Sequence, residues 1–309
     1  MRARLLFPAL FLAAALLCLT ACDVDLGSFE RFTRDFHNSY PLKSDGRLSV
    51  ESFNGSVEIS GWDQDTVDIS GTKYGPSQDA ADSLKVEIDN SPDAVSIRVI
   101  RPSDRRSNLG ARFVIKIPRA ARLDRITTSN GAIRTEDGTG PARLRTSNSS
   151  IRVLDLRGGL DAQTSNGSVE LTGVDGDVTA HTSNSHIRTE RVNGSLEAAT
   201  SNGSVNAQIS RADRPVRVET SNSSVELTFP VNYSRDVRVS TTNACITLRL
   251  PHDIGAHLTA RTSNSSISSD FDVKVQGELS RNHMDGVIGA GGPLFELSTS
   301  NGSIRLLKM

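Results

Sequence analysis

The sequence predicts an all-β protein, a β-solenoid with about 18 to 21 residues per coil and a strand-rich N-terminal capping section. A Thr-Ser-Asn tripeptide recurs at an almost constant interval from residue 128 onwards. Short runs of alternating apolar and polar residues flank each copy, as expected of half-buried strands. The 309 residues include 24 Gly and only 5% aromatic residues. This composition suits short strands and tight turns better than a bulky helical core.

The repeat sets the length of one coil. The Asn of each copy, with a Thr-Thr-Asn variant at 243, is Asn130, Asn148, Asn166, Asn184, Asn202, Asn222, Asn243, Asn264 or Asn301. Successive Asn positions differ by 18, 18, 18, 18, 20, 21, 21 and 37. Each interval is one supersecondary unit that stacks on the next at ~4.8 Å. We interpret the last interval as about two periods, with one degenerate coil between.

Alternation within a copy predicts which side chains point inward. Leu144, Thr146 and Asn148 fall on one face, and the apolar positions resume at Ile151 after an odd step of three. The chain therefore turns a corner at 149–150, between strands of two different faces. This parity places the Asn residues inward. There the stacked amides are expected to hydrogen-bond to the same residue above and below, as a structural ladder.

A second bend is predicted half a period away, where Leu156-x-Gly158-x-Leu160 and its equivalents place a glycine. Parallel crossovers favour a right-handed coil. A left-handed hexapeptide helix is excluded, because counting six positions at a time from Ile133 reaches Thr139 and Arg145, which are not apolar.

The chain divides into four predicted segments: a signal peptide (1–21), a lipid-anchored linker or cap (22–46), a strand-rich section (47–125) and the repeat solenoid (126–309). The strand-rich section alternates cleanly and would cover the open first coil. Phe29, Phe32 and Phe36 fall at helical spacing just before it. They are consistent with an amphipathic helix on a membrane, or with a short segment packed on the first coil.

The N-terminus has the order of an export signal: Arg2 and Arg4, an apolar run, then small residues before a cysteine. The ending Leu19-Thr20-Ala21-Cys22 resembles the bacterial lipobox. The resemblance implies that Cys22 carries lipid such as palmitate and holds the protein on a bilayer of the cell envelope. The alternative is an ordinary signal peptide with Cys22 as a bystander.

Composition and motifs exclude several functional classes. The chain has 35 Lys+Arg against 36 Asp+Glu, a net charge of -1, and no clustered basic run, which argues against nucleic-acid binding. The six histidines form no metal-ligand pattern, no cofactor motif is found, and no catalytic sequence motif is present. Cys245 has no partner for an intramolecular disulfide once Cys18 and Cys22 are assigned to the signal and the lipid.

One row of outward side chains is a candidate binding face. Arg134, Arg152, Glu170 and Arg188 lie one period apart at the same strand position. Because no single repeat can make a pocket, a partner would meet such a row across several coils. Mixed signs favour an envelope protein or glycan over a generic anionic polymer.

Several motifs together resemble a known family. They are Gly61-Trp62-Asp63, Ile117-Pro118, the Thr-Ser-Asn-Gly repeats and Gly289-x-Gly291-Gly292 leading into Leu297-x-Thr299-x-Asn301. Over roughly residues 45–309 the chain resembles the bacterial putative adhesin family of β-strand-repeat domains of unknown function. The family name implies adhesion and carries over no catalytic or binding residue. Our first hypothesis is a non-enzymatic lipoprotein of the cell envelope whose solenoid displays a binding or scaffolding face.

The alternative function is a polysaccharide-active β-helix enzyme, a lyase or hydrolase with carboxylates on one face. Coils from 128 to 265 differ little in length, and long inserted loops around a groove are absent from them, which argues against this alternative. A pair of carboxylates beside a cleft would favour it.

Overall fold

The computed structural model describes residues 32–102, 108–211 and 213–309. These residues form one compact unit, with 57% of the chain in strands and 2% in helix. The predicted all-β class and β-solenoid architecture are confirmed. Within the described residues, no helix is long and apolar enough to cross a membrane.

The described ranges contain 27 strands and one short helix. The strands of the N-terminal part are β1 (Phe32–Pro41), β2 (Arg47–Glu51), β3 (Val57–Trp62), β4 (Thr66–Gly75), β5 (Val86–Ser91), β6 (Ala94–Val99), β7 (Gly110–Pro118) and β8 (Arg122–Thr127). Helix α1 (Gln78–Ser83) lies between β4 and β5, and Ser77 caps it by accepting a hydrogen bond from the Ala80 amide.

The repeats supply the remaining strands. They are β9 (Ile133–Gly138), β10 (Ala142–Arg145), β11 (Ile151–Arg157), β12 (Leu160–Gln163), β13 (Val169–Asp175), β14 (Val178–His181), β15 (Ile187–Val192), β16 (Leu196–Ala199), β17 (Val205–Ile209), β18 (Val216–Glu219), β19 (Val225–Thr228), β20 (Val237–Ser240), β21 (Ile246–Leu250), β22 (Ala256–Thr262), β23 (Ile267–Ser269), β24 (Val273–Leu279), β25 (His283–Ile288), β26 (Leu294–Thr299) and β27 (Ile304–Lys308).

From β7 to β24, successive strands alternate between two long sheets. Sheet A has the order β1-β4-β7-β3-β9-β11-β13-β15-β17-β19-β21-β27-β23, and sheet B has the order β24-β25-β22-β26-β20-β18-β16-β14-β12-β10-β8-β2-β6-β5. Each coil therefore gives one strand to each sheet, and equivalent strands of neighbouring coils pair in parallel.

The core lies along the inward columns of the two sheets as one continuous cluster. Ile151, Val169, Ile187 and Val205 lie in register on sheet A, and each is at most 1% exposed. Because β-branched side chains pack well on a pleated surface, such a column stabilises both the strands and their register.

The stack begins before the Thr-Ser-Asn repeats. Strand β3 pairs in parallel with β9, and β2 pairs in parallel with β8, so residues 47–62 already contribute to the stacked layers. Strand β1 closes this end of sheet A by pairing antiparallel with β4. Within it, Phe36 packs edge-on against Phe113 at 6.1 Å between ring centres, while Phe32 is 43% exposed. Phe32 and Phe36 therefore lie on a strand and the helix alternative is wrong for them, whereas the packing of Phe36 agrees with the alternative of a packed segment. Phe29 lies outside the described residues.

The C-terminal end differs from the expectation of a degenerate coil between Asn264 and Asn301. Residues 273–288 instead form an antiparallel hairpin, β24 with β25, on the edge of sheet B. The chain then returns, and β26 inserts between β20 and β22 while β27 inserts between β21 and β23. The last coil in the sequence is therefore not the last coil of the stack.

Candidate functional site

The candidate binding face lies on the outward side of sheet A. Strand pairing places Arg152 directly between Arg134 and Glu170, and Arg188 beyond Glu170. The four side chains are 47%, 51%, 32% and 63% exposed in the order Arg134, Arg152, Glu170, Arg188. The predicted spacing of one coil therefore holds in three dimensions, because the constant interval between these repeats keeps the strands in one register.

The charges of this row are paired within the face. Arg152 donates to the carboxylate of Glu170 on the next strand at 2.6 Å. Arg134 and Arg188 each pair with a glutamate two positions along their own strand, at 3.5 Å to Glu136 and 2.8 Å to Glu190. Three arginines thus oppose three glutamates, and the face is balanced in sign.

The sequence reasoning missed Glu136 and Glu190. Residues two apart on a strand share a face, so the period-two rule applied from Arg134 and Arg188 would have found them. Between them in register lie Leu154 and Thr172, both half-buried, which complete a second outward row.

Glu170 is the carboxylate most embedded in this face. The hydrogen bond from Arg152 lowers the pKa of Glu170 below its ordinary value, despite the opposing effect of partial burial. His186 lies 3.8 Å away and Ser168 donates to the same carboxylate at 3.4 Å. Glu170 is therefore held as an anion, which suits an ion-pairing surface rather than proton donation.

The Asn column hydrogen-bonds from coil to coil at the corner. Each side-chain nitrogen donates to the side-chain oxygen of the neighbouring coil's Asn at 2.6–2.8 Å, from Asn130, Asn148, Asn166, Asn184, Asn202, Asn222, Asn243, Asn264 and Asn301. Asn130 itself donates to Asn54, which extends the column to the outlying copy of the motif.

The predicted inward direction of these Asn residues is wrong. All nine are exposed, whereas the Thr two positions earlier in each copy is buried. Thr164, for example, donates to the Ser149 carbonyl at 3.0 Å and accepts from the Gly167 amide at 3.2 Å. The alternation of buried and exposed side chains ends at the Thr, two residues before the Asn. The corner therefore takes in all residues between Thr164 and Val169, including the Asn.

Close stacking at this corner explains the glycine that follows four of the nine Asn residues. A Cβ at Gly167 would overlap the Ser149 carbonyl of the neighbouring coil, and a Cβ at Gly203 would overlap that of Ser185. The glycine therefore allows the coils to approach each other, and its φ angle is not in the left-handed region. The ladder and the buried Thr act as structural elements of the corner.

The predictions from the sequence also concern two cysteines, Cys22 and Cys245. Cys22 lies outside the described residues. Cys245 is half-buried, and the Ser303 hydroxyl donates to its sulfur at 3.3 Å, which lowers the pKa of the thiol. Across the described ranges, no group of three or more His, Cys, Asp or Glu side chains could hold a metal ion.

Comparisons with known proteins add only distant likenesses. No protein-family model matches the chain, and no curated protein matches it. A putative cell adhesion protein from Clostridium sporogenes aligns over 89% of this chain and 100% of its own, with 12% identity and a TM-score of 0.25. Putative adhesins from Bacteroides fragilis and Parabacteroides merdae align over 89% of this chain and 97% and 96% of theirs, with 11% and 8% identity and TM-scores of 0.35 and 0.36. Likenesses at this level carry no argument about function.

Proposed function

We propose that this chain is a non-enzymatic, adhesin-like binding or scaffolding module of the bacterial cell envelope, and that the outward face of sheet A is its docking surface. The observation that carries the proposal is the register of Arg134, Arg152, Glu170 and Arg188, the docking row, on four consecutive parallel strands. Four strands at ~4.8 Å spacing hold these charges in a fixed row that a partner can engage as one surface.

The balance of charge on the face indicates the kind of partner. Three arginines and three glutamates share the two outward rows, so Glu136, Glu170 and Glu190 offset the attraction that the arginines would offer an extended anionic polymer. A protein or glycan of the envelope with its own pattern of donors and acceptors fits better. Exposed ion pairs contribute only about 0–1 kcal/mol each, so affinity should accumulate over several coils.

Site-specific photocrosslinking tests the docking surface. A photoreactive amino acid replaces Thr172, half-buried on the face, or Thr179, equally half-buried on the outward side of sheet B. Full-length protein in cells should give a discrete crosslinked species from position 172 and none from position 179. Equal yields from both positions, or no crosslink from 172, would contradict the proposed surface.

We also propose that Cys22 anchors the protein to a bilayer through covalent lipid. The support is the lipobox-like Leu19-Thr20-Ala21-Cys22 after an apolar run. Several acyl chains at about 0.8 kcal/mol per buried methylene would hold the protein firmly on a membrane. Cys22→Ala should abolish palmitate labelling and either release the protein or leave it uncleaved, with Cys18→Ala as the matched control. Unchanged labelling and fractionation of Cys22→Ala would exclude the anchor.

A further inference from the structure

A polar groove runs along the corner where the sheet A strands β9, β11, β13 and β15 end. It has a volume of about 730 Å³ and extends as far as Ser210 after β17. Its charged lining consists of Arg119, Arg157, Arg191, Asp137, Asp155 and Asp175. This groove lies at the C-terminal ends of the strands, apart from the docking row, whose members are each the second residue of their strand.

A backbone feature repeated in four coils forms one side of the groove. Asp137, Asp155, Gly173 and Arg191 recur once per coil and all have left-handed φ angles, at 57°, 49°, 71° and 56°. At these positions the strand pairing skips one residue: Leu154 pairs with Glu136 and Leu156 with Gly138. Asp137 and Asp155 are both left out of this pairing, and both line the groove.

Gly173, the one glycine in this series, leaves room for a side chain from the neighbouring coil. The carboxylate of Asp155 occupies the space that a side chain at Gly173 would fill. There it meets Arg191 at 3.5 Å. At the other end Arg119 pairs with Asp137 at 3.2 Å and with Asp63 at 2.8 Å. These pairs fix carboxylates and guanidinium groups along the groove without closing it.

The groove carries no excess of either charge. Three arginines face three aspartates, and Arg157 lies beside Asp175 in register on the neighbouring strand. Thr139 and Asn193 add uncharged donors and acceptors to the lining. Lining residues lie within β9, β11, β13 and β15 and directly after β17, five successive levels of sheet A, so the groove runs for ~19 Å at ~4.8 Å per strand.

We propose that this groove binds an uncharged oligosaccharide in extended form. Planar carboxylate, amide and guanidinium groups can each make paired hydrogen bonds to neighbouring hydroxyls, and they recur here at every coil. Because the three carboxylates offset the three guanidinium groups, the groove offers an anionic polymer no net attraction. The axial repeat of the coils is close to the length of one hexose unit, so successive sugars meet equivalent positions.

Binding of defined glycans to the full chain tests the groove. The probes are cellohexaose, laminarihexaose, mannohexaose and N-acetylchitohexaose, with polygalacturonate as the anionic comparator, measured by titration calorimetry. At least one neutral hexaose should bind, and it should bind more tightly than polygalacturonate. Binding of none of the neutral probes, or stronger binding of polygalacturonate, would overturn the proposal.

A matched pair of double variants locates the binding. Arg157→Leu with Asp175→Leu removes an in-register pair of exposed side chains from the groove. Arg143→Leu with Asp161→Leu removes an in-register Arg–Asp pair from sheet B, outside the groove. The groove variant should weaken hexaose binding at least about tenfold, a loss of about 1.4 kcal/mol, and the sheet B variant should not. Equal effects of the two variants would contradict the assignment.

Hydrogen exchange keeps the test decisive if the groove variant misfolds. In the unmodified protein, saturating hexaose should slow exchange at residues 137–139, 155–157 and 173–175 and leave β14 and β16 unchanged. Protection elsewhere alone would overturn the proposal. Substitution of the docking row should leave hexaose affinity unchanged, so a failure of the groove and a failure of the docking surface give different results.

Discussion

Asn301 donates a hydrogen bond from its side-chain amide to the side-chain oxygen of Asn243, which lies 58 positions earlier, at 2.7 Å. On its other side it accepts from Asn264, which is closer in sequence but is not the neighbour of Asn243 in the stack. The final coil therefore holds together two coils that the chain completed earlier. The strand pairs of β26 with β20 and with β22 show the same order in sheet B.

The inserted coil is fixed by an aromatic cluster. Phe295 on β26 is 0% exposed and lies 5.9 Å from Phe229 and 6.1 Å from Tyr233 between ring centres. We expect Phe295→Ala to lower the free energy of unfolding by about 3–5 kcal/mol, because it leaves a cavity between coils. Leu294→Ala, at a position 42% exposed, is the control and should cost under about 1 kcal/mol. Denaturant unfolding measures both, and similar losses would contradict the insertion.

Two buried threonines should respond oppositely to removal of the hydroxyl. Thr189 is 1% exposed, and its hydroxyl has no hydrogen-bond partner among the described residues. Leu171 and Ala207 flank it in register, so Thr189→Val should raise stability by about 1 kcal/mol. Thr164→Val removes two hydrogen bonds at the corner and should cost about 1–3 kcal/mol. Thermal melts of the two variants check the signs, and a loss for Thr189→Val would show that its hydroxyl is satisfied.

The ladder should contribute to stability even though it is exposed. Asn166 donates to Asn148 and accepts from Asn184, both at 2.7 Å. Asn166→Ala removes both bonds, and we expect a loss of about 1–2 kcal/mol from the free energy of unfolding. The adjacent exposed Ser165 is the control, and Ser165→Ala should be within about 0.5 kcal/mol of the unmodified protein. The reverse ranking in denaturant unfolding would mean that water replaces the ladder bonds without cost.

Function at the docking surface should decline in steps. Changing Arg134, Arg152, Glu170 and Arg188 to Ser one after another should weaken partner crosslinking progressively, because each exposed pair contributes about 0–1 kcal/mol. The measurement is crosslink yield from position 172 in each cumulative variant. Complete loss from one substitution with the fold intact would indicate a catalytic or single-residue site, and the scaffold proposal would then fail.

Acid should destabilise the C-terminal hairpin through Asp285. His283 hydrogen-bonds to its carboxylate at 2.7 Å and lowers the pKa of Asp285 below its ordinary value of 3.8, and Arg261 lies 4.0 Å away on β22. Because the folded pKa is depressed, the stabilisation is present above pH 3.8 and is lost as the pH falls through the folded value. Melting temperatures from about pH 5 to about pH 3 should fall more steeply for the unmodified protein than for Asp285→Asn. Parallel slopes would show no contribution from this pair.

The periodic part of the fold could be predicted from the sequence for a physical reason. The constant interval between the early repeats returns Arg134, Arg152 and Glu170 to the same strand position, so register along sheet A follows directly from spacing. The same spacing brings the Asn residues together at one corner. Alternation alone could not locate where the corner begins, because Thr146 and Asn148 have the same parity whether the strand ends before or after Ser147.

The order of the C-terminal coils could not be predicted in the same way. The long interval between Asn264 and Asn301 fits a skipped coil and an inserted coil equally well. Whether the coil is inserted depends on the long-range pairing of β26 and on the packing of Phe295 with Phe229, which no local sequence pattern encodes. The corner groove was missed because it depends on left-handed backbone at Asp137, Asp155, Gly173 and Arg191, where three different residue types share one conformation.

The nine side-chain bonds of the Asn ladder all run in one direction, with every amide N–H directed toward the Asn54 end and every carbonyl toward the Asn264 end. Aligned amide dipoles add, as they do along a helix. The corner of the stack therefore has an electrical polarity independent of its ionised residues. At its positive end the Asn54 amide donates to the Leu109 carbonyl at 2.8 Å, while the Asn264 oxygen ends the series as an acceptor. A second stack could continue this ladder only head to tail, since two like ends would present donor to donor or acceptor to acceptor.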